Sequence, residues 1–252
     1  MDVDSRAFYL LKSVNKANRE HSMFEDGDAI LVAVSGGKDS LTMLDLLHRR
    51  QRVAREHYTI VAGKVRTDFH SGPAVPGNWL HDWCDAHKIR LVVEEIPIAL
   101  ELAHMRRSKC FRCAWQRRKA LFQMADRLGC NKVALGHNAD DIAETMLMSL
   151  FYSARFQRME PRASFFRGRL VVIRPLAYIE ERDIVPFARA SGFPIQGEPC
   201  PEGLRSRRAA IKRMLREIET EGHDVKRHIF RAFDRNHARH LRAARGIVRQ
   251  EG

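Results

Sequence analysis

Short apolar runs recur along the first half of the chain, and segments with helical spacing separate them. AILVAV at 29–34 lacks the alternation of a half-exposed strand and reads as one buried on both faces. Further strand-like runs lie at Tyr58 to Val65, Ile89 to Glu95 and Lys132 to Leu135. Between them, apolar positions repeat with helical period at 40–50, 76–87 and 111–128. An amino-terminal helix over 5–19 is expected to bury Phe8, Leu11 and Val14, with Glu25 to Asp28 turning into the first strand. This alternation predicts an α/β fold, doubly wound around a mainly parallel sheet. Beyond residue 138 helical patterns dominate, interrupted by LVVIRPL at 170–176 and by glycines and prolines between Gly192 and Gly203. SGPAVPG at 71–77 reads as a mobile loop.

Composition narrows the partners. Within 252 residues, 44 Lys and Arg face 31 Asp and Glu, a formal charge of +13 that draws polyanions. No apolar run approaches bilayer length, and MDVDSRAFYL lacks the order of a signal peptide, so a cytoplasmic location without membrane contact is expected. In a reducing compartment the five cysteines read as metal ligands, redox thiols or buried thiols rather than disulfides.

Directly after the first strand stands Ser35-Gly36-Gly37-Lys38-Asp39-Ser40, followed by an apolar helix opening LTMLDLL. Two glycines let backbone approach an oxyanion, two serines offer hydroxyls, and the free N–H groups of a helix start face the same point. The kinase-type phosphate loop is excluded: Val32 stands where its first glycine belongs, and Asp39 follows Lys38 in place of Ser or Thr. The bland alternative is a glycine-rich turn. A second motif, Gly136-His137-Asn138-Ala139-Asp140-Asp141, again joins a strand to a helix. Its paired carboxylates suit Mg²⁺ held against phosphate. Equally, either Asp could cap the helix and His137 could be an interior histidine.

Cys110 and Cys113 form a C-x-x-C at the start of the helix leading to that second strand. Such spacing lets two thiolates share one metal centre, and Lys109, Arg112, Arg117 and Arg118 are expected to favour ionised sulfur. A structural zinc site would want a second close cysteine pair, which is absent. Candidates for a third ligand are Cys84, Cys130 and Cys200. Cys84 and Cys130 read as ordinary buried thiols, whereas Cys200 lies in a loop rich in Pro and Gly. Three cysteines would leave one iron of a four-iron cluster open to an exogenous ligand such as hydrosulfide.

SGGKDS after a hydrophobic strand resembles the signature of PP-loop ATP pyrophosphatases. The resemblance implies an adenine-nucleotide α-hydrolase-like fold and cleavage of ATP between its α and β phosphates, with Ser35 to Ser40 as the nucleotide site. SGGKDS, KCFRC, ALGHNADDIAETMLMSLFY, VVIRPLAY and FPIQGEPCPEG, in that order, further resemble the tRNA 2-thiocytidine biosynthesis (TtcA) family over about residues 7 to 235. That likeness implies an enzyme using ATP and Mg²⁺ to adenylate a tRNA anticodon-loop cytidine at position 32. Sulfur from a cysteine desulfurase would pass through a [4Fe-4S] cluster on Cys110, Cys113 and Cys200. It assigns Asp39 and Asp141 to catalysis, Arg117 as a basic catalytic residue, and Gly136, His137 and Asp140 to the nucleotide and its metal. Where common members carry another cysteine shortly after the PC segment, Gly203 and Leu204 follow Pro201 and Glu202 here.

From Arg205 onward Arg, Lys and His crowd every face of a helix whose apolar stripe is Ile211, Met214, Leu215 and Ile218. A solvated charged face is the plain reading, and contacts to tRNA phosphates the functional one. The expected division is a PP-loop and cluster domain over 1–200 and a basic helical region over 201–252. The oligomeric state stays open, with a homodimer among the options. Rival functions are a PP-loop thiolase acting on uridine, a lysidine-forming enzyme and a non-catalytic RNA-binding protein with structural zinc.

Overall fold

In the computed structural model, residues 1–69, 75–105, 109–196, 200–220, 224–226, 228–230 and 232 are described. Most of the 71–77 loop and most of the basic carboxyl-terminal run therefore lie outside the described residues. The chain divides into two compact units, 1–139 with 160–206, and 140–159 with 207–252.

The first unit is built on a six-stranded sheet. In chain order its strands are β1 (Ala29–Ala33), β2 (Thr59–Thr67), β3 (Arg90–Ile96), β4 (Lys132–Ala134), β5 (Arg162–Phe165) and β6 (Leu170–Ile173). They lie side by side as β3-β2-β1-β4-β6-β5. Every pairing is parallel except that of β5 with β6. Helices α1 (Val3–His21), α2 (Lys38–Gln51), α3 (Trp79–Ala86), α4 (Ala99–Ala103), α5 (Lys109–Arg127), α7 (Glu181–Ala190) and α8 (Pro201–Leu204) complete the unit. The long helix after β4 is α6 (Ala139–Ser153), which passes into the second unit.

Side-chain alternation explains the double winding. Ile30 and Val32 of β1 join one core with Leu44 and Leu47 of α2 and Phe187 of α7, while Leu31 between them joins the other, with Ala120 and Met124 of α5. In β6, Val171 and Ile173 face the first core, and Leu170 and Val172 the second. Strands buried on both faces can carry continuous apolar runs, which is why β1 shows no polar alternation.

The buried face of α1 is Ala7, Leu10, Val14 and Ala17, with Leu11 only partly buried and Phe8 58% exposed. The expected stripe was thus rotated. Two alanines let this helix lie close to its neighbours, and Phe8 instead sits under Lys12, whose Nζ is 4.4 Å from the ring centre. At the amino end of the sheet, Lys132 is buried and its ammonium contacts Asp28 at 2.7 Å, Glu25 at 3.1 Å and the carbonyl of Met23 at 3.1 Å. Asn131 donates to the other Asp28 oxygen at 2.9 Å, so the buried charge is fully surrounded by acceptors.

Strand order reverses between β1 and β4, whose neighbouring residues pair in register Ile30 to Lys132, Leu31 to Val133 and Val32 to Ala134. Open α/β sheets hold ligands at the carboxyl ends of strands at such a reversal. The two loops singled out in the sequence leave these two adjacent strand ends.

Candidate active site

The loop after β1 is held by its own side chains. Ser40 Oγ donates to the carbonyl of Gly37 at 2.9 Å and accepts from the Gly36 N–H at 3.2 Å, and Ser35 Oγ accepts from the Gly37 N–H at 3.3 Å. Gly36 has φ +94, which side-chain-bearing residues rarely adopt. Gly37 precedes the first residue of α2, and no side chain caps that helix. Its N-terminal N–H groups and positive dipole end are available to an anion.

Lys38 reaches two carboxylates, Glu181 at 2.9 Å and Asp39 at 3.0 Å. Burial opposes its charge, but the pull of Asp39 and Glu181 prevails and raises its pKa. The ammonium is therefore retained at neutral pH. Asp39 accepts a second bond, from Asn138 Nδ2 at 3.0 Å, which ties the loop after β1 to the loop after β4. The closeness of the two loops is also steric: a Cβ on Gly136 would stand 3.2 Å from the backbone N and Cα of Ser40. Only glycine fits there without displacement.

A cavity of about 290 Å³ opens against these loops. Ser35, Gly37, Asp39, Ser40, Gly136 and His137 line its polar side, and Val34, Val65, Ala114, Leu121 and Leu135 an apolar side. An apolar shelf beside an anion-binding loop is the shape a purine nucleotide requires. Arg117 and Arg118 of α5 also line the cavity.

Helix α5 also carries the C-x-x-C. Cys110 and Cys113 stand three apart on it and so share one face. Cys200 immediately precedes α8, which packs on α5. None of the three is joined in a disulfide. Contrary to the sequence expectation, the Cys113 thiol is pushed up: burial outweighs the opposing Arg117 cation, and Cys200 is close enough to add to the rise. Arg112 gives little help, because its guanidinium engages Glu101 and lies 4.6 Å from the centre of the Trp115 ring. Cys113 would then release a proton on taking a metal. Among the described residues no three His, Cys, Asp or Glu side chains are arranged to hold a metal ion. The donor set nevertheless suits an iron-sulfur centre, with soft thiols carried on α5 and beside α8. Cys84 and Cys130 are packed into the cores, where burial pushes the Cys84 thiol up to about 11.

The second unit contains the carboxylates that begin α6 and the helix α9 (Arg207–Thr220). Asp140 pairs with Lys226 at 2.6 Å and Asp141 with Arg208 at 3.1 Å. Arg207 lies over the Tyr152 ring at 4.6 Å. Of the expected apolar stripe on α9, Ile211 and Leu215 are buried and Met214 and Ile218 half-buried.

Glu144, one turn after Asp140 and Asp141, escaped the sequence reading although its spacing from them could have flagged it. It is 2% exposed, and burial, reinforced by Asp141 and opposed by Arg208 and Lys212, pushes its carboxyl up to about 7. A raised carboxyl pKa means that, between the ordinary value of 4.5 and about 7, the folded chain holds a proton the unfolded chain has lost. Its contribution is fully present below the lower value and lost as pH rises through the upper one. Glu144→Gln is therefore expected to flatten this decline and to be the more stable protein at pH 8, by roughly 3 kcal/mol at most. Urea unfolding of both proteins across this range tests it, and parallel pH profiles would reject it.

A PP-loop domain family matches residues 10–218. The tRNA-cytidine(32) 2-sulfurtransferase of Geobacter sulfurreducens is 37% identical over 245 residues, covering 95% of this chain and 94% of that protein. The chain belongs to the tRNA-cytidine(32) 2-sulfurtransferase family of PP-loop proteins. A further member of this family, from Citrifermentans bemidjiense, is 34% identical and is covered over 98% of both chains. The U34-tRNA thiolase NcsA from Methanococcus maripaludis, solved with its [4Fe-4S] cluster, superposes with a TM-score of 0.71 at 21% identity. That match spans 92% of this chain and 79% of NcsA and establishes the shared fold. The match bears out the PP-loop family expected from the sequence. No helix among the described residues is long and apolar enough to cross a membrane.

Proposed function

We propose that this protein is an ATP-dependent tRNA sulfurtransferase that forms 2-thiocytidine at position 32 of the anticodon loop. The observation that carries the reading is the double duty of α5: its first turn bears Cys110 and Cys113, and its next turns wall the nucleotide cavity with Ala114, Arg117 and Leu121. Activation and sulfur delivery must meet at one base, and one helix brings their machinery together.

In this scheme the backbone of Ser35 to Ser40 and the Lys38 ammonium hold the phosphates that leave as pyrophosphate. The cytidine 2-oxygen attacks the α-phosphate, giving an adenylated base, and AMP departs when sulfur replaces that oxygen. Asp39, fixed by Lys38 and Asn138, is suited to a Mg²⁺ ion, which takes one or two carboxylates and keeps several waters. Asp140 is assigned to metal binding and Asp141 to acid or base work. Arg117, between cavity and thiols, is suited to stabilising negative charge that develops on the α-phosphate. A [4Fe-4S] cluster on Cys110, Cys113 and Cys200 would supply an iron able to take hydrosulfide. A cysteine desulfurase is the proposed source of that sulfur. The basic residues from Arg205 onward would contact tRNA phosphates, and a target in a single-stranded loop minimises the unstacking cost.

The test is mass spectrometry of tRNA nucleosides from a strain lacking the gene. Loss of 2-thiocytidine, restored by the intact chain, is the expected result. An unchanged 2-thiocytidine level with loss of a thiolated uridine would move the substrate to uridine.

A further inference from the structure

Helix α5 has a second working face. Beside the nucleotide cavity, a separate cavity of about 590 Å³ is lined by Trp115, Phe122 and Phe166 and by the cations Arg118, Lys119 and Arg169. Its volume falls within the range of sites that take small ligands. The rings are presented, not buried: Trp115 is 42% exposed and Phe166 61%. Phe166 and Arg167 both adopt left-handed backbone, with φ +51 and +58, an unfavourable conformation for residues with a Cβ. This turn holds the Phe166 ring edge-on to Phe122, with centroids 6.0 Å apart. Lys119 and Arg112 flank the Trp115 ring at 5.6 and 4.6 Å from its centre. Asp126 is the one acid lining the cavity among the described residues, and Arg169 pairs with it at 3.3 Å. Arg118 borders both cavities.

We propose that this cavity binds an unpaired nucleotide of the RNA substrate, its base stacked on Trp115 or Phe166 and its phosphate facing Arg118 and Lys119. The inference rests on the tRNA reading above. Rings with cations at their margin are what single-stranded nucleic acid requires, a π-face for the base and positive charge for the backbone. An apolar partner would have no use for the basic rim, and an acidic peptide none for the rings. Because Arg118 is shared, a nucleotide held here stands beside the nucleotide cavity, as the neighbour of a target base would.

The test uses the full chain and an unmodified tRNA transcript carrying cytidine at position 32, with affinity measured over a series of salt concentrations. At least one of Trp115→Ala and Phe166→Ala should raise the Kd about tenfold, and neither should change the slope of log affinity against log salt. Trp115→Phe should recover most of the loss. Lys119→Gln should instead flatten the salt slope by about 1. ATP affinity and melting temperature should match wild type in all four variants, since these side chains lie outside the phosphate loop and the cores. If wild type binds and thiolates the transcript and both alanine variants bind it equally well, the stacking site is overturned while the thiolase reading stands. If wild type binds no tRNA, both fall together.

Discussion

Cys200→Ser is expected to reduce tRNA thiolation to background while ATP affinity stays within about twofold of wild type. Serine nearly matches cysteine in shape but is a poor ligand for a soft metal centre. Cys200 precedes α8, which packs on α5, and it lines neither cavity. Its loss should therefore remove iron without disturbing the nucleotide site. Iron and sulfide content after anaerobic reconstitution should fall in step with activity. Cys84→Ser and Cys130→Ser are the controls, since both thiols are core residues and a buried hydroxyl there costs about 1–3 kcal/mol of stability. Those variants should melt earlier and hold iron normally. Full iron content and normal thiolation in Cys200→Ser would remove it from the ligand set, and iron loss in either control would put the third ligand there.

Gly37→Ala should fold almost normally and fail to turn over ATP. A Cβ at this position meets only Ser35 Oγ, at 3.6 Å, and the backbone has an ordinary φ of −81. The stability cost is limited to a less favourable residue before α2, about 1 kcal/mol. Yet in the proposed scheme this is where backbone comes within hydrogen-bond reach of a phosphate, and a methyl group would hold it off. A displacement of about an ångström from reacting geometry lowers rates by roughly 10²-fold. Gly136→Ala provides the contrast, because its Cβ would press on the backbone of Ser40 within the folded chain. It should lose stability and turnover together. Melting temperature and tRNA-dependent release of AMP separate the two cases, and full turnover by Gly37→Ala would show that its missing side chain has no part in phosphate binding.

The parts of the fold legible in the sequence are those whose cause is local. β1 to β4 follow the apolar runs closely; in β1 and β4 burial on both faces leaves little room for polar residues, whereas the edge strand β3 has no buried residue and keeps Arg90, Glu94 and Glu95. β5 was not foreseen: RASF alternates, lies at the sheet edge, and exists as a strand through its antiparallel pairing with β6. The buried face of α1 was misjudged because large side chains dominate a pattern, whereas close packing here selected Ala7 and Ala17. The site follows the same rule. Both strand-end loops are contiguous and could be read directly. The brace on Lys38 from Glu181 could not, because it depends on α7 lying against α2. Nor could the protonated bias of Cys113, since adjacent arginines suggest the opposite until burial is known.

The second unit is assembled from two separated stretches of chain, and this decides what a shortened protein would be. Ending the chain at Ser206 would delete Arg208, Lys212 and Lys226, the counter-charges of Asp140, Asp141 and Glu144, as well as α9 itself. What remained of the unit would be a helix with three carboxylates in its first turn and a half and the rings of Phe151 and Tyr152 further along. Such a segment repels the polyanions that the intact chain attracts. Because residues 207–252 carry 13 Lys and Arg against 6 Asp and Glu, the truncated chain would stay basic as a whole while this one segment turned acidic.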